Sequence, residues 1–497
     1  MRSRESGILM AISSLPGKYG IGDFGAEAYS FIDFLTRAGQ KNWQILPLGI
    51  TGYGDSPYQS FSAFAGNPYF IDIDELIELG LLKKADVAFV NFGEANQVDY
   101  GKIYVEKYKL LRKAYDNIDD RLKSDLVNFY RENSWWLREF ALFMAIKDLH
   151  NGLEWINWDE DYIEYDSKVV KNFEENNEKA VYFWVFTQYL FAKQWKRLKD
   201  YANSKGIKII GDIPIYVSID SSDLWANPKL FLLDENFLPT VVSGVPPDAF
   251  TSKGQLWGNP VYNWDRMELE GYDFWIKRIK KSTELFDTIR IDHFRGFESF
   301  WGIPYGSKDA INGKWIKGPG MKIFERIKDV FGEVDIIAED LGFKTEEVVE
   351  LMKATGFPGM KVLQFAFDPN SESDYLPHNC ERNSVVYTGT HDNSTVRDWF
   401  DSADEEVRNF AVEYLRLNEV EGINWGIIRG AWSASSYLAI AQIQDFLNLG
   451  GESRMNTPST LGGNWTWRVD SEYLTEELAD RIRNITKIYR RCANVES

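Results

Sequence analysis

The stretch Asp287–Gly296, DTIRIDHFRG, places an acidic residue directly after a short apolar run rich in β-branched residues. The run Ile289–Ile291 ends at Asp292, and polar residues and a glycine follow it. This pattern is typical of a buried strand that opens into a loop. Two further stretches repeat the pattern: VDIIAEDLG, which leads to Glu339, and SVVYTGTHDN, which leads to Asp392.

Outward from these three stretches, further apolar segments predict strands, and helical patterns separate most of them. The predicted strands are Gly7–Ser13, Asn42–Leu46, Ile207–Ile213, Thr288–Ile291, Asp335–Ala338, Lys361–Phe367, Ser384–Thr388 and Leu438–Ile443. Eight alternating strand and helix units predict an α/β fold whose parallel sheet closes into a (β/α)8 TIM barrel. Catalytic residues of such barrels lie at the C-terminal ends of the strands, so we expect the three acids to meet there.

Two connections are much longer than the rest, and both leave the C-terminal end of a strand. Loops of this length are uncommon in compact domains unless they have a function. No internal repeat or low-complexity linker separates parts of the chain. We therefore predict one catalytic domain over residues 1–497, with inserted subdomains at roughly 59–206 and 217–266 that wall and roof a cleft on the C-terminal face.

Composition excludes several classes of partner. A net charge of −19 argues against binding to nucleic acid or to an anionic membrane surface. The apolar stretch near the N-terminus is too short for a signal peptide, and no run reaches the length of a transmembrane helix. The two cysteines, Cys380 and Cys492, lack metal-type spacing and indicate a reduced protein, so we expect a cytoplasmic location.

Carboxylates that meet at one barrel mouth indicate cleavage of a glycosidic bond, in which one acid donates a proton and another is the nucleophile or base. Arg290 and His293 flank Asp292, and a nearby cation favours the ionised, nucleophilic carboxylate. Burial and the neighbouring Asp340 are expected to raise the pKa of Glu339, which suits a general acid/base. Aromatic residues in loops rich in glycine and proline fit the apolar faces of sugar rings.

Other chemistries have weaker support. His391 next to Asp392 raises the alternative of a metal site, but no further His or Cys has the spacing of a ligand set. We interpret His391 and His293 as hydrogen-bonding groups for substrate hydroxyls. A serine hydrolase lacks support because there is no G-x-S-x-G elbow, and a nucleotide enzyme lacks support because there is no phosphate-binding glycine loop.

The motifs RIDHFRG, AEDLG and TGTHDN resemble the catalytic motifs of the 4-α-glucanotransferases called amylomaltases or disproportionating enzymes. These enzymes form glycoside hydrolase family 77, in the α-amylase clan. The resemblance extends over nearly the whole chain, through SSLPGKYGIGDFG, GYGDSPYQ, IIGDIPIYV, GQLWGNPVYNW, FPGMKVLQFAF and RMNTPSTLGGNWTWR.

The resemblance implies separate roles for the three acids: Asp292 as nucleophile, Glu339 as acid/base, and Asp392 as the group that binds and distorts the reacting sugar. The residues that match the reacting-sugar subsite are Tyr58, Asp212, Arg290 and His391, and those that match further substrate contacts are Ser56, Gln255, Trp257 and His293. Residues 247–258 match a mobile loop around which the glucan bends. Tyr53 and Tyr100 match a secondary glucan-binding groove, for which simple packing is the alternative interpretation.

The activity implied is cleavage of α-1,4-glucans or maltooligosaccharides and transfer of the glucanosyl segment to the 4-hydroxyl of an acceptor glucan or glucose. The implied mechanism is a retaining double displacement that needs no cofactor and no metal. Three alternatives stay open at this point: an α-1,4-glucan hydrolase that uses the same acids, a branching or debranching enzyme, and a non-catalytic glucan-binding protein.

Overall fold

The computed structural model describes residues 2–52, 54–247, 251–342 and 344–492. Its strands, in chain order, are β1 (Glu5–Leu9), β2 (Asn42–Gln44), β3 (Lys208–Ile213), β4 (Val241–Val245), β5 (Gln255–Pro260), β6 (Thr288–Ile291), β7 (Ser299–Pro304), β8 (Lys314–Lys317), β9 (Ile336–Ala338), β10 (Gly359–Val362), β11 (Ser384–Tyr387) and β12 (Leu438–Gln442). The central sheet has eight strands in the order β10-β11-β12-β1-β2-β3-β6-β9, and all of its neighbouring strands are parallel. Each predicted strand therefore has a counterpart, but two expected bounds were wrong: β1 ends at Leu9 rather than at Ser13, and β10 ends at Val362 rather than at Phe367, because a 3-10 turn follows each of them.

The two ends of this sheet meet, so the sheet forms a nearly closed barrel, and the predicted TIM barrel is confirmed. The Ala338 N–H at the end of β9 donates to the Pro358 carbonyl at 3.0 Å, immediately before β10. The Met360 N–H in β10 donates to the Asp340 carboxylate at 2.7 Å. Gly359 makes this approach possible, because a Cβ at that position would lie 2.7 Å from the same carboxylate oxygens. We call this junction between β9 and β10 the seam.

The barrel strands alternate with helices whose apolar faces cover the sheet. The α-helices are α1 (Ala26–Arg37), α2 (Ile73–Glu78), α3 (Lys84–Val87), α4 (Tyr100–Asp116), α5 (Asp120–Leu149), α6 (Glu160–Ile163), α7 (Lys168–Asn176), α8 (Glu178–Ser204), α9 (Ser222–Ala226), α10 (Trp264–Leu269), α11 (Asp273–Leu285), α12 (Met321–Phe331), α13 (Glu346–Thr355), α14 (Val396–Ser402), α15 (Glu405–Leu415), α16 (Ile423–Ser433), α17 (Ile443–Phe446) and α18 (Glu476–Ile488). Within the described residues, none of these helices combines the length and the apolar character that crossing a bilayer requires.

Side-chain caps explain where several helices begin. A terminal helix over Ser471–Arg491 is expected from the sequence, but α18 begins only at Glu476 because the Thr475 side chain accepts a hydrogen bond from the Leu478 N–H. Thr345 caps α13 in the same way. The expected bounds of the terminal helix were therefore wrong by a few residues at each end, whereas its position after the last strand is confirmed.

The first long connection, between β2 and β3, contains α2 to α8. The two longest helices, α5 and α8, pack against each other through aromatic residues, and Phe140 and Trp184 meet edge to face at 6.1 Å. Such contacts explain why the sequence of α8 is apolar over much of its surface. The placement of inserted subdomains at 59–206 and 217–266 within a single domain stays a prediction.

The second long connection contributes β4 and β5 to a small antiparallel sheet of the order β5-β4-β7-β8. Strands β7 and β8 follow β6, so this sheet extends to residues 299–317, beyond the second predicted insertion. Phe300 of β7 and Trp257 of β5 pack against the main core of the protein. The small sheet is thereby fixed to the barrel beside the end of β6.

Candidate active site

Strand β6 delivers two functional side chains to the barrel mouth. Side chains alternate between the two faces of a strand, so Arg290 and Asp292 share one face while Ile289 and Ile291 point to the other. Both isoleucines are buried in the core. The Asp292 N–H donates to the Ile213 carbonyl at 3.0 Å, which continues the ladder between β3 and β6. The position of Asp292 is therefore set by the hydrogen bonds of the barrel.

A buried guanidinium joins two of the predicted site carboxylates. Arg290 and Asp212 are directly paired on β6 and β3, and Arg290 Nη1 donates to both oxygens of Asp212 at 2.7 and 2.6 Å. Arg290 Nη2 lies 3.0 Å from Asp292 Oδ1. Burial lowers the pKa of Arg290, but the charges of Asp212 and Asp292 more than reverse this effect and hold the pKa well above its ordinary value. Arg290 is therefore a permanent cation that orients the Asp292 carboxylate.

Glu339 follows β9 directly, and its two carboxyl oxygens accept backbone hydrogen bonds. The His293 N–H donates to Oε2 at 2.8 Å, and the Leu341 N–H donates to Oε1 at 2.9 Å. Burial and, to a smaller extent, the charge of Asp292 raise the pKa of Glu339, Arg290 opposes both, and the net pKa is about 8. Glu339 therefore carries a proton at neutral pH, while the neighbouring Asp292 is paired with a cation.

His293 connects the two acids with the small sheet. Its backbone has a φ of 50°, in the left-handed region that costs energy for a residue with a side chain. This conformation directs its N–H toward Glu339, and its ring meets Trp257 edge to face at 4.7 Å. Burial lowers the pKa of His293 to about 4, so the ring is neutral. Its Nε2 is buried and has no hydrogen-bond partner among the described residues, which suits it to a substrate hydroxyl.

Tyr58 connects the loop after β2 with this network. Its hydroxyl donates to Asp212 at 2.8 Å, and its ring stacks on His391 with centroids 5.0 Å apart. Trp465 lies against the same two rings. Burial, assisted by the charge of Asp212, raises the pKa of Tyr58 well above its ordinary value, so the hydroxyl keeps its proton. Ser56 is in the same turn, where its hydroxyl accepts from the Tyr58 N–H at 3.3 Å.

Asp392 reaches the mouth in a different way, because it lies several residues beyond the end of β11. Asn456 Nδ2 donates to Asp392 Oδ1 at 2.6 Å, and Arg454 Nη2 donates to its backbone carbonyl at 2.5 Å. His391 Nε2 lies 3.4 Å from Asp392 Oδ2. No group of three or more His, Cys, Asp or Glu side chains in the described part of the chain is arranged to hold a metal ion.

Arg454 and Asn456 were not among the site residues predicted from the sequence. Both lie in the stretch RMNTPSTLGGNWTWR, which carries part of the family resemblance. That stretch was the available signal, but nothing in its residue spacing shows that it reaches Asp392.

The aromatic loop beside the acids is only partly described. Trp257 Nε1 donates to Gln255 Oε1 at 3.1 Å, and both residues belong to β5. The Trp257 ring packs against His293, next to Asp292 in the chain, and Gln255 follows through its bond to Trp257. The contact of both residues with substrate stays a prediction. Residues 248–250 of the predicted mobile loop lie outside the described residues.

The secondary glucan groove stays a prediction. Tyr53 lies outside the described residues. Tyr100 is the first residue of α4, and its hydroxyl donates to the Trp465 carbonyl at 2.9 Å. Its ring lies 6.5 Å from that of Tyr69, so the contacts of Tyr100 within the chain are those of a partly packed residue.

The chain is similar to known proteins over almost its whole length. Residues 10–475 match the family described as 4-alpha-glucanotransferase. The chain is 55% identical to a 4-alpha-glucanotransferase of Clostridium butyricum, over 97% of this chain and 100% of that protein. It is 45% identical to a 4-alpha-glucanotransferase of Thermus thermophilus, over 98% of this chain and 99% of that protein.

A solved structure supports the same relationship. The amylomaltase from Streptococcus agalactiae in complex with acarbose superposes with a TM-score of 0.96 at 43% identity, over 99% of this chain and 100% of that one. The motifs at the strand ends predicted this family. The chain therefore belongs to glycoside hydrolase family 77, the family of the 4-α-glucanotransferases.

Proposed function

We propose that this chain cleaves α-1,4-glucosidic bonds and transfers the glucanosyl segment to the 4-hydroxyl of an acceptor glucan or glucose. The observation that carries the proposal is the pair of acids on adjacent strand ends. Asp292 lies 3.0 Å from the Arg290 guanidinium, and burial together with the charge of Asp292 raises the pKa of Glu339 to about 8, so that Glu339 holds a proton. A retaining glycosidase mechanism requires such a protonated acid beside a second carboxylate before the first step.

In the first step, Glu339 gives its proton to the glycosidic oxygen while Asp292 attacks the anomeric carbon. The bond from that carbon to the glycosidic oxygen breaks, and a β-linked glucosyl ester with Asp292 forms. In the second step, the Glu339 carboxylate takes the proton of the acceptor 4-hydroxyl, which attacks the same carbon and releases Asp292. Two inversions give net retention of the α configuration, and Glu339 regains its proton.

The remaining site residues hold the sugar. Asp392, held by Asn456, binds hydroxyls of the reacting sugar and stabilises its distorted form. The other groups proposed for this subsite are Tyr58, Asp212, Arg290 and His391, and those proposed for further substrate contacts are Ser56, Gln255, Trp257 and His293. No step in this scheme needs a cofactor or a metal.

Transfer must compete with water for the glucosyl intermediate. A bound and oriented acceptor gains an effective molarity of about 10⁵ M or more, which is enough to decide this competition. The rings of Trp257 and His293 pack together beside the acids. We propose that this aromatic wall binds the acceptor and displaces water from the intermediate.

Donors and acceptors in this proposal are α-1,4-glucans and maltooligosaccharides, with no nucleic acid and no membrane as partners. Cys380 and Cys492 are both free thiols, which supports a reducing compartment such as the cytoplasm.

Incubation with maltotriose tests the proposal. Transfer yields glucose together with a ladder of longer chains, and the number of reducing ends stays constant. A hydrolase raises the number of reducing ends, and a branching or debranching enzyme changes the α-1,6 linkages of its products. Asp292→Asn is the control for the assignment, and full activity in this variant would refute it.

A further inference from the structure

A single buried carboxylate joins the two ends of the segment that carries Asp392. We call this segment, residues 388–396, the Asp392 loop. Asp445 lies in α17, just beyond β12, and is completely buried. Its Oδ2 accepts from the Thr388 hydroxyl at 2.6 Å, and its Oδ1 accepts from the Val396 N–H at 2.9 Å. Thr388 and Val396 are the first and last residues of the loop, so Asp445 fixes the separation of its ends.

Two buried amides hold the loop between these ends. Gln364 Nε2 donates to the Ser394 carbonyl at 2.8 Å, and Gln442 Nε2 donates to the same oxygen at 3.3 Å. Gln442 ends β12 and Gln364 lies in the turn after β10, so the amides come from the ends of the two strands that flank β11. A Cβ at Gly389 would lie 2.6 Å from the Gln364 amide nitrogen, which shows how closely the loop packs on these groups.

Burial of the Asp445 carboxylate lowers the stability of the folded protein. It raises the pKa of Asp445 to about 7, although hydrogen bonds from Thr388, Val396 and Gln442 lower it. A buried carboxylate costs free energy unless its oxygens are hydrogen-bonded, and an apolar side chain would avoid this cost. What the carboxylate adds is a bidentate link between two points of the chain eight positions apart. Local choices that oppose stability are expected where function requires them.

We propose that Asp445 is a positioning residue for glucan transfer, which holds the Asp392 loop so that Asp392 and His391 face the reacting sugar. The proposal rests on the proposed function. Asp445 itself does not touch the sugar in this scheme. Its effect on the reaction passes through Asp392, whose own carboxylate is held by Asn456 from another segment.

The first test is Asp445→Asn with maltotriose as substrate. The amide has the same shape, but its nitrogen cannot accept a hydrogen bond from Thr388 or Val396. A small misplacement of a catalytic group costs on the order of 10²-fold in rate, so we expect a loss of about that size in kcat and a much smaller change in KM. An unchanged kcat would overturn the proposal.

A matched pair at Thr388 covers the case in which Asp445→Asn does not fold. Thr388→Val removes the hydroxyl at constant shape, and Thr388→Ser keeps it. We expect kcat to fall in the valine variant and to stay near the level of the unmodified enzyme in the serine variant. Equal kcat values in the two variants would contradict the role of the hydrogen bond to Asp445.

The decisive readout is whether Asp445 acts through Asp392. Asp445→Asn is combined with Asp392→Asn, and α-maltosyl fluoride serves as donor because its activated leaving group keeps slow variants measurable. If Asp445 acts by positioning Asp392, the substitution costs much less in the Asp392→Asn background than in the unmodified enzyme. Equal fold losses in both backgrounds would show a purely structural role.

Asp72→Asn is the control for the loss of a partly buried carboxylate that lies outside the site. The side chain of Asp72 caps α2, and burial raises its pKa to about 6, but its bonds are to groups outside the Asp392 loop. We expect this variant to lower the melting temperature and to leave kcat unchanged. A failure of the unmodified chain to produce the maltotriose ladder would instead contradict the proposed function, so the two failures are distinguishable.

Discussion

Asp292 and Glu339 are held by the backbone of the barrel, whereas Asp392 is held by side chains from other loops. The N–H of Asp292 continues the ladder to β3, and the N–H of Glu339 donates to the Ile291 carbonyl at 3.0 Å. Asp392 instead depends on Asn456 for its carboxylate and on Asp445 for the ends of its loop. Its side chain is 47% exposed, compared with 29% for Asp292.

This difference separates two tasks. Bond making and proton transfer require fixed distances, which the register of parallel strands provides. Asp392, the group proposed to hold the distorted sugar, is positioned by several separate side-chain contacts. Each of these contacts can be removed alone by a substitution. We therefore expect substitutions at the strand ends to abolish the chemistry, and substitutions around Asp392 to weaken it by degrees.

The largest effect is expected at the strand ends. Asp292→Asn removes the nucleophile, and we expect kcat on maltotriose to fall by at least about 10⁴-fold. Glu339→Gln removes the proton donor, with a loss of about 10² to 10⁴-fold. A donor with a fluoride leaving group distinguishes the two variants, because fluoride leaves without being protonated. We expect this donor to restore formation of the glucosyl intermediate in Glu339→Gln but not in Asp292→Asn; restoration in both would contradict the assignment of Asp292.

The second effect concerns the proton of Glu339. Its pKa rises from the ordinary 4.5 to about 8, so kcat/KM for maltotriose is expected to fall as the pH rises through about 8, when the donor is lost. A raised pKa also means that the proton stabilises the fold fully below about pH 4.5, and that this contribution is lost as the pH rises through about 8.

Glu339→Gln therefore has a stability test that needs no activity. The Gln variant has no ionisable side chain at position 339. Its free energy of unfolding relative to that of the unmodified chain should therefore increase by about 1.4 kcal/mol per pH unit between about pH 4.5 and about pH 8. Thermal unfolding of both proteins at pH 5 and pH 8 measures this change. An equal difference in melting temperature at the two pH values would show that Glu339 is not a buried, protonated acid.

A smaller effect is expected where Asp392 is held. Asn456→Ala removes the hydrogen bond to its carboxylate, and we expect kcat to fall by about 10- to 100-fold because the carboxylate loses its fixed direction. Thr460→Ala is the control, since the Thr460 hydroxyl donates to the Thr457 carbonyl within the same segment. If both variants lose the same activity, the segment matters as a whole and the contact of Asn456 with Asp392 does not.

The smallest effect is expected at the aromatic wall. Trp257→Ala removes the ring that packs on His293, and we expect the ratio of transfer to hydrolysis to fall severalfold, at a cost of about 1 kcal/mol in the competition between acceptor and water. The measurement is the increase in reducing ends per glucose released from maltotriose. Trp257→Phe keeps an aromatic ring and is expected to retain most of the ratio; an unchanged ratio in Trp257→Ala would exclude the wall from this role.

The sequence predicts the barrel well because its strands are buried on both faces and therefore appear as short apolar runs. Assigning strands from apolar runs gave wrong bounds for the sixth predicted strand, Lys361–Phe367. The chain is extended only to Val362 and then forms a 3-10 turn at Leu363–Phe365, so apolar character continued beyond the strand. The small sheet was not predicted, because glycine and proline interrupt its strands and its members come from both sides of β6.

The positions of Asp292, Glu339 and Asp392 beyond strand ends were predictable, because each follows a short apolar run rich in β-branched residues. Asn456 and Asp445 were not, since their bonds reach 64 and 57 positions along the chain. A contact of this range depends on the tertiary structure, and no local pattern of residues encodes it.

The seam of the barrel lies beside Glu339, the proposed proton donor. There the backbone bond from Ala338 to Pro358 is followed by a bond from Met360 to the Asp340 side chain, which takes the place of a strand partner, and Lys344 holds that carboxylate at 2.6 Å. Asp340 is next to Glu339. Local opening at this junction would therefore displace the proposed catalytic acid while the surrounding helices remain folded. We expect heat to inactivate the enzyme at temperatures below those at which its helices melt, and hydrogen exchange at Met360 to report that early loss.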